Sequence, residues 1–154
     1  MDWIRRIIRL PTSQRSILLI RLAVGLIFAT QGILKYTDPK MGVLRFEKIG
    51  FAYPGFTAHF VGFFEILCGI LVLAGFLTRL AAMPLLIVIC TAIATSKIPE
   101  LSRPEQGLWF MISDARTDFA MLCSLIFLLL SGPGRLSMDA RLSQGDTPDQ
   151  SGVK

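Results

Sequence analysis

One histidine, three cysteines and little charge set the first limits on this chain of 154 residues, of which only 18% are charged. The lone His59 excludes a bis-histidine haem and the paired histidines of an HExxH zinc site. No Walker loop, dinucleotide-binding fingerprint or GxSxG elbow occurs. Cys68, Cys90 and Cys123 form no CxxC pair and read as small apolar side chains near mid-helix. No residue set therefore holds a metal or a covalent cofactor, and any redox cofactor must diffuse or sit on a partner. There is also no basic groove interleaved with aromatics, so the surplus of Lys and Arg points to lipid headgroups and not to nucleic acid.

What is abundant is apolar: 53% of residues are hydrophobic. A bilayer's hydrocarbon is about 30 Å thick and takes about 20 mostly apolar helical residues. Four windows approach that length, at Ile17 to Leu34, His59 to Leu77, Leu80 to Ser96 and Thr117 to Leu130, the last short and extended by "GLWFMISDAR". "LAAMPLLIVIC" and "AMLCSLIFLLL" are apolar on every face, which a single small soluble domain has no means of burying. The expected fold is all-α, a four-helix transmembrane bundle. The first window lacks a small-x-small cleavage pattern, so it is expected to stay in the mature protein.

An even number of spans puts both termini on one side. Arg5, Arg6, Arg9 and Arg15 before the first span favour the cytoplasm, though Lys35, Lys40, Arg45, Lys48, Lys97, Arg103 and Arg116 in the opposite loops weaken the bias. Residues 1–16 read as a basic amphipathic segment suited to an anionic leaflet, residues 17–142 as the membrane domain, and residues 143–154 as a flexible polar tail. In the first outer loop, Gly42 to Ile49 has helix-compatible spacing between Pro and Gly punctuation and is expected to be a small interfacial helix. Trp109 is placed as an interfacial indole.

A charge inside hydrocarbon costs about 2.5 kcal/mol or more, so it normally faces the bundle interior and often carries function. In the first span Arg21, Gly25, Phe28, Gly32 and Lys35 share a stripe at spacings of three and four. In the second, Gly62, Glu65 and Gly69 share a face on which two residues without side chains flank a carboxylate, so another helix can approach closely there. Counting down from the outer ends at about 1.5 Å per residue puts Glu65 about 9 Å deep, Gln31 about 6 Å and Asp118 about 4 to 6 Å, with Lys35 near the surface. The expected cluster is Glu65 with Gln31, Lys35, Asp118 and Arg116, capped by His59. Arg21 lies deeper and must reach upward to join it. A buried network that only sets helix register competes with a ligand or proton site.

These residues bring a resemblance into view. "RLAVGLIFATQGILK", "GFFEILCGILVLAGFLTRLAA", "DARTDFAML" and "GPGRLSMDA" together resemble the DoxX family of small bacterial membrane proteins, over about Ile17 to Leu142. Arg21, Gly32, Lys35, Glu65, Gly75, Arg79, Asp118, Gly132 and Asp139 match positions typical of that family. The resemblance implies a four-helix membrane bundle in the bacterial inner membrane. It also implies a link to a thiosulfate:quinone oxidoreductase subunit or to redox-protective complexes, hence an isoprenoid quinone and oxidoreductase partner subunits. Glu65 and Asp118 are then the expected catalytic carboxylates. Partial desolvation favours the neutral form of such a group and suits it to proton exchange. Arg21, Gln31, Lys35, His59 and Arg116 complete the expected ligand site. Two further readings stay open: a binding or permeation protein that admits a small molecule without chemistry, and a non-catalytic assembly subunit. Besides the bilayer and partner subunits, further copies of the chain are the remaining partner to consider.

Overall fold

The computed structural model describes residues 14–101 and 107–145. Helix α1, Gln14–Thr37, is followed by the short α2, Val43–Ile49, and by α3, Pro54–Ala74. Helix α4, Thr78–Ala92, continues through a π-helical turn, Ile93–Lys97, into α5, Ile98–Leu101. Then come α6, Gly107–Ser131, and α7, Met138–Gly145, and no strand occurs among the described residues.

Local chemistry explains the boundaries. Helix α1 stops before Pro39, because the residue preceding a proline is pushed out of the helical region. The Asp38 carboxylate accepts the Lys40 amide at 2.9 Å, which closes the turn. Pro54 opens α3 at a position where the missing amide costs nothing. Gly75 ends it in the left-handed region at φ 70, and the Phe76 amide donates back to the Leu71 carbonyl at 3.0 Å in a Schellman pattern. The second apolar helix therefore runs over Pro54–Ala74 and not from His59 to Leu77 as expected. Pro54 starts it earlier, and Gly75 cuts it short.

Among the described residues three helices are long and apolar enough to cross a bilayer: Ser16–Thr37, Pro54–Ala74 and Thr78–Ser96. The expected fourth span is not among them. Helix α6 does form, over the expected run together with its "GLWFMISDAR" extension, but Asp114, Arg116 and Asp118 lie within it and break its apolar run. The expected helix over Gly42 to Ile49 is present as α2. Residues 1–13 of the expected amphipathic segment 1–16 and the tail from residue 146 lie outside the described residues, while residues 14–16 open α1. Residues 143–145, expected to be part of a flexible tail, close the helix α7.

The four long helices pack as a ring in which α1 lies most extensively on α3, α3 turns into α4, α4 lies on α6, and α6 touches α1 more lightly. Helix α2 folds over the start of α3 at one end, called here the capped end. Inside the ring Val24, Phe28, Cys68, Val72, Ala82, Leu85, Leu125 and Leu128 form the core. Outside it, Leu19, Leu26, Ile33, Phe63, Ile70, Ile87 and Leu130 are exposed, the outward apolar coat of a protein solvated by lipid.

Two glycine pairs set how closely α1 and α3 meet. A methyl group on Gly25 would lie 2.7 Å from the Gly69 carbonyl oxygen, and one on Gly32 would lie 2.7 Å from the Gly62 carbonyl oxygen. The helices are thus in backbone contact at both levels, as small residues permit in membranes.

Candidate functional site

The same register explains the central ion pair. With Gly25 opposite Gly69 and Gly32 opposite Gly62, Ala29 is level with Glu65, and the Lys35 backbone sits about 9 Å nearer the capped end. Side chains lean toward the N-terminus of their own helix. Because α1 and α3 are antiparallel, Lys35 leans away from the capped end and Glu65 leans toward it. Their tips meet, with Lys35 Nζ donating to Glu65 Oε2 at 2.5 Å. Both side chains are largely buried, at 12% and 5% exposure. Since α3 begins at Pro54, Glu65 lies about 16 Å along the helix, near its middle and deeper than the 9 Å expected from the sequence.

Beside this pair the ring encloses a cavity of about 560 Å³. Its wall is mainly apolar and aromatic, with Phe28, Phe46, Phe60 and Phe64 among the contributors, and its polar groups converge from several elements. Gln31 and Lys35 come from α1, Arg45 from α2, Glu65 from α3, Ser96 from the π-helical turn and Asp118 from α6. Arg45 Nη2 approaches Ser96 Oγ at 3.5 Å, tying the cap to the far side of the ring. The Arg45 charge also acts on Glu65.

Of the residues singled out from the sequence, Gln31, Lys35, Glu65 and Asp118 line one cavity. His59 and Arg116 do not. His59 is exposed and its Nδ1 donates to the Gly55 carbonyl of its own helix at 2.6 Å. Its ring meets Tyr36 edge-on, while the Tyr36 hydroxyl donates to the His59 carbonyl at 2.7 Å. Arg116 is exposed and bonds Ser113 Oγ at 2.9 Å. Arg45 was overlooked because the first outer loop was read only as a cap; its place three residues after Gly42 in a short helix was the available signal. Among the described residues no group of three or more His, Cys, Asp or Glu side chains is arranged to hold a metal. The three cysteines are free; Cys68 is buried, and Cys90 and Cys123 are exposed.

Arg21 belongs to a different construction at the opposite end of the ring. The residue is 1% exposed, and its guanidinium donates only to backbone carbonyls in the bonds described. Nε reaches Val72 at 3.0 Å and Nη2 reaches Leu73 at 2.9 Å, both at the end of α3, where carbonyls lack helical partners. Nη1 reaches Pro133 at 3.1 Å and Leu136 at 2.9 Å in the segment after α6. Gly75 stands against the guanidinium, which leaves no room for a side chain there. That following segment also supplies Asp139, whose carboxylate accepts the Leu77 and Thr78 amides at 2.8 and 3.3 Å. A negative charge at the start of α4 is favoured by the helix dipole.

Comparison with known proteins agrees with this architecture. The DoxX family model matches residues 16–97, which include Arg21, Lys35, Arg45 and Glu65. Uncharacterized membrane protein Rv3486 of Mycobacterium tuberculosis is 49% identical over 137 residues, covering 86% of this chain and 84% of that protein. "Putative oxidoreductase CatD" of Bacillus subtilis is 30% identical over 128 residues, covering 83% of this chain and 87% of that protein. No solved structure gives a significant match. With the family model spanning α1 through the π-helical turn and a membrane relative at near half identity over most of both chains, the chain is a membrane protein of the DoxX family.

Proposed function

We propose that this protein is a four-span inner-membrane protein and the membrane subunit of a quinone-linked oxidoreductase or redox-protective complex, with the quinone head group held in the cavity beside Lys35 and Glu65. The cavity is the observation that carries the reading. Its volume of about 560 Å³ falls within the range of small-molecule sites, about 300–1,000 Å³. Its wall is mostly apolar, and its few polar groups are of the kinds a quinone needs. Lys35 and Arg45 donate hydrogen bonds to a carbonyl oxygen. Glu65 and Asp118 can pass protons to it, and reduction of a quinone to a quinol consumes two protons with two electrons. The electrons come from a partner subunit, because no side chain in the cavity is a redox centre. The name of the relative "Putative oxidoreductase CatD" favours this class of chemistry.

The four-span reading requires α6 to cross with its three charges. Its 25 residues give about 37 Å of helix, enough for the hydrocarbon core. Both termini then lie in the cytoplasm.

The direct pairing of Lys35 with Glu65 favours a second reading, in which the pair only fixes the register of α1 and α3. One experiment separates the two. The protein is purified in mild detergent, and its bound lipids are extracted and identified, with Glu65→Gln purified in parallel. The proposal expects quinone at near one per chain, reduced at least fivefold in a Glu65→Gln protein that still folds. A wild-type protein without quinone, or a folded variant with undiminished quinone, favours the structural reading.

A further inference from the structure

The wall of the cavity is not closed on all sides. Phe60 of α3 and Ile87 of α4 both line it, yet Phe60 is 53% and Ile87 68% exposed, so each belongs at once to the wall and to the outer surface. Phe60 lies about 9 Å along α3 from Pro54 and Ile87 about 14 Å along α4 from Thr78, within the two apolar spans. Exposure at that level means exposure to lipid. The helices that carry them are joined by the Gly75 turn at one end, where Asp139 holds the start of α4. About one turn of helix or less from them, the half-buried Phe64, Pro84 and Val88 line the same cavity, as does the buried Glu65.

Elsewhere the exposed wall is mixed: Met41 before α2, Thr91 of α4, and Asp114 and Thr117 of α6. Asp114 and Thr117 make a polar stretch unsuited to an apolar chain. The cavity thus has an apolar margin at Phe60 and Ile87, within the apolar spans, and a polar margin at Asp114 and Thr117. A water-soluble ligand has no use for the first margin. An amphiphile uses both.

We infer that the cavity opens sideways into the bilayer between α3 and α4, and that its occupant is an amphiphile whose apolar tail leaves past Phe60 and Ile87. The inference rests on the reading that a polar head group lies beside Lys35 and Glu65, and it adds the route and the tail.

Two probes with one ring test it: menadione, a naphthoquinone without a tail, and phylloquinone, the same ring bearing a phytyl tail. Binding of each to the full chain in detergent is measured for the wild type, for the double variant Phe60→Trp/Ile87→Trp, and for Ile70→Trp, a lipid-facing position that does not line the cavity. Wild type is expected to bind phylloquinone at least tenfold more tightly than menadione. In the double variant phylloquinone affinity should fall at least fivefold more than menadione affinity, with an unfolding midpoint close to wild type reporting that the variant is folded. Ile70→Trp should match wild type. Phylloquinone binding that survives the double variant, or falls equally with Ile70→Trp, overturns the lateral opening and leaves the head-group site standing. Failure of wild type to bind either probe overturns the head-group reading and this inference with it.

Discussion

A lysine in a membrane normally lifts its ammonium toward the nearer interface, and Lys35 does the reverse. It turns into the bundle because its helix direction and the backbone contact with α3 aim it at Glu65. Lys35→Met leaves a buried carboxylate without its partner and should cost about 3–5 kcal/mol, seen as a lowered unfolding midpoint in detergent. The double variant Lys35→Met/Glu65→Leu should recover most of that loss, since a buried pair exchanged for apolar side chains is often near neutral. A single variant as stable as wild type would show that the pair is solvated. Arg21 differs in kind, because its four carbonyl partners need a planar fork of donors. Arg21→Lys should therefore destabilise nearly as much as Arg21→Gln, by about 3 kcal/mol or more at 1.5–3 kcal/mol per charged hydrogen bond. Full rescue by lysine would contradict that geometry.

At the scale of elements, the contact between α1 and α3 depends on absent side chains. Gly32→Ala inserts a methyl against the Gly62 carbonyl and the Ile66 amide, both backbone groups that cannot move aside. It should sharply lower the yield of folded protein by size-exclusion chromatography. Gly55→Ala is the matched control: it also lies in α3, nothing stands within 4 Å of the added methyl, and the change should be neutral or stabilising by about 0.4–1 kcal/mol. If both variants behave alike, the seam is not what limits assembly. The junction of α3 and α4 depends on a carboxylate supplied from the far end of the sequence. Asp139→Ala removes the acceptor for two amides at the start of α4 and should cost about 1 kcal/mol, the usual worth of such a cap.

For the whole molecule the open quantity is the path of α6. In the ring it occupies a full helix position between α4 and α1 and contributes Met121, Leu125 and Leu128 to the core. Its first half carries the charges that keep it from the apolar standard of the other three. A reporter fused after residue 145 should lie in the cytoplasm, on the same side as one fused to the N-terminus. Opposite signals from the two fusions would leave three spans and remove Asp118 from the membrane.

The sequence was a sufficient guide wherever the governing physics is local or periodic. All-round apolar runs predicted long helices in a bilayer. Spacings of three and four put Lys35 on one inward stripe and Glu65, between Gly62 and Gly69, on another. The boundaries were less legible because single residues decide them, Pro54 by opening a helix and Gly75 by closing one. The partners were least legible of all. Arg21 was assigned to the Glu65 cluster by its charge, yet it caps carbonyls at the other end of the bundle; Arg45 was passed over in a loop, yet it reaches the cavity. Composition and period depend only on neighbours along the chain, so the sequence alone determined a membrane protein with an inward-facing carboxylate. Which charges meet, how deep they lie and where the cavity opens follow from the antiparallel register of α1 on α3 and the fold of α2 over them, and only the tertiary structure decided those.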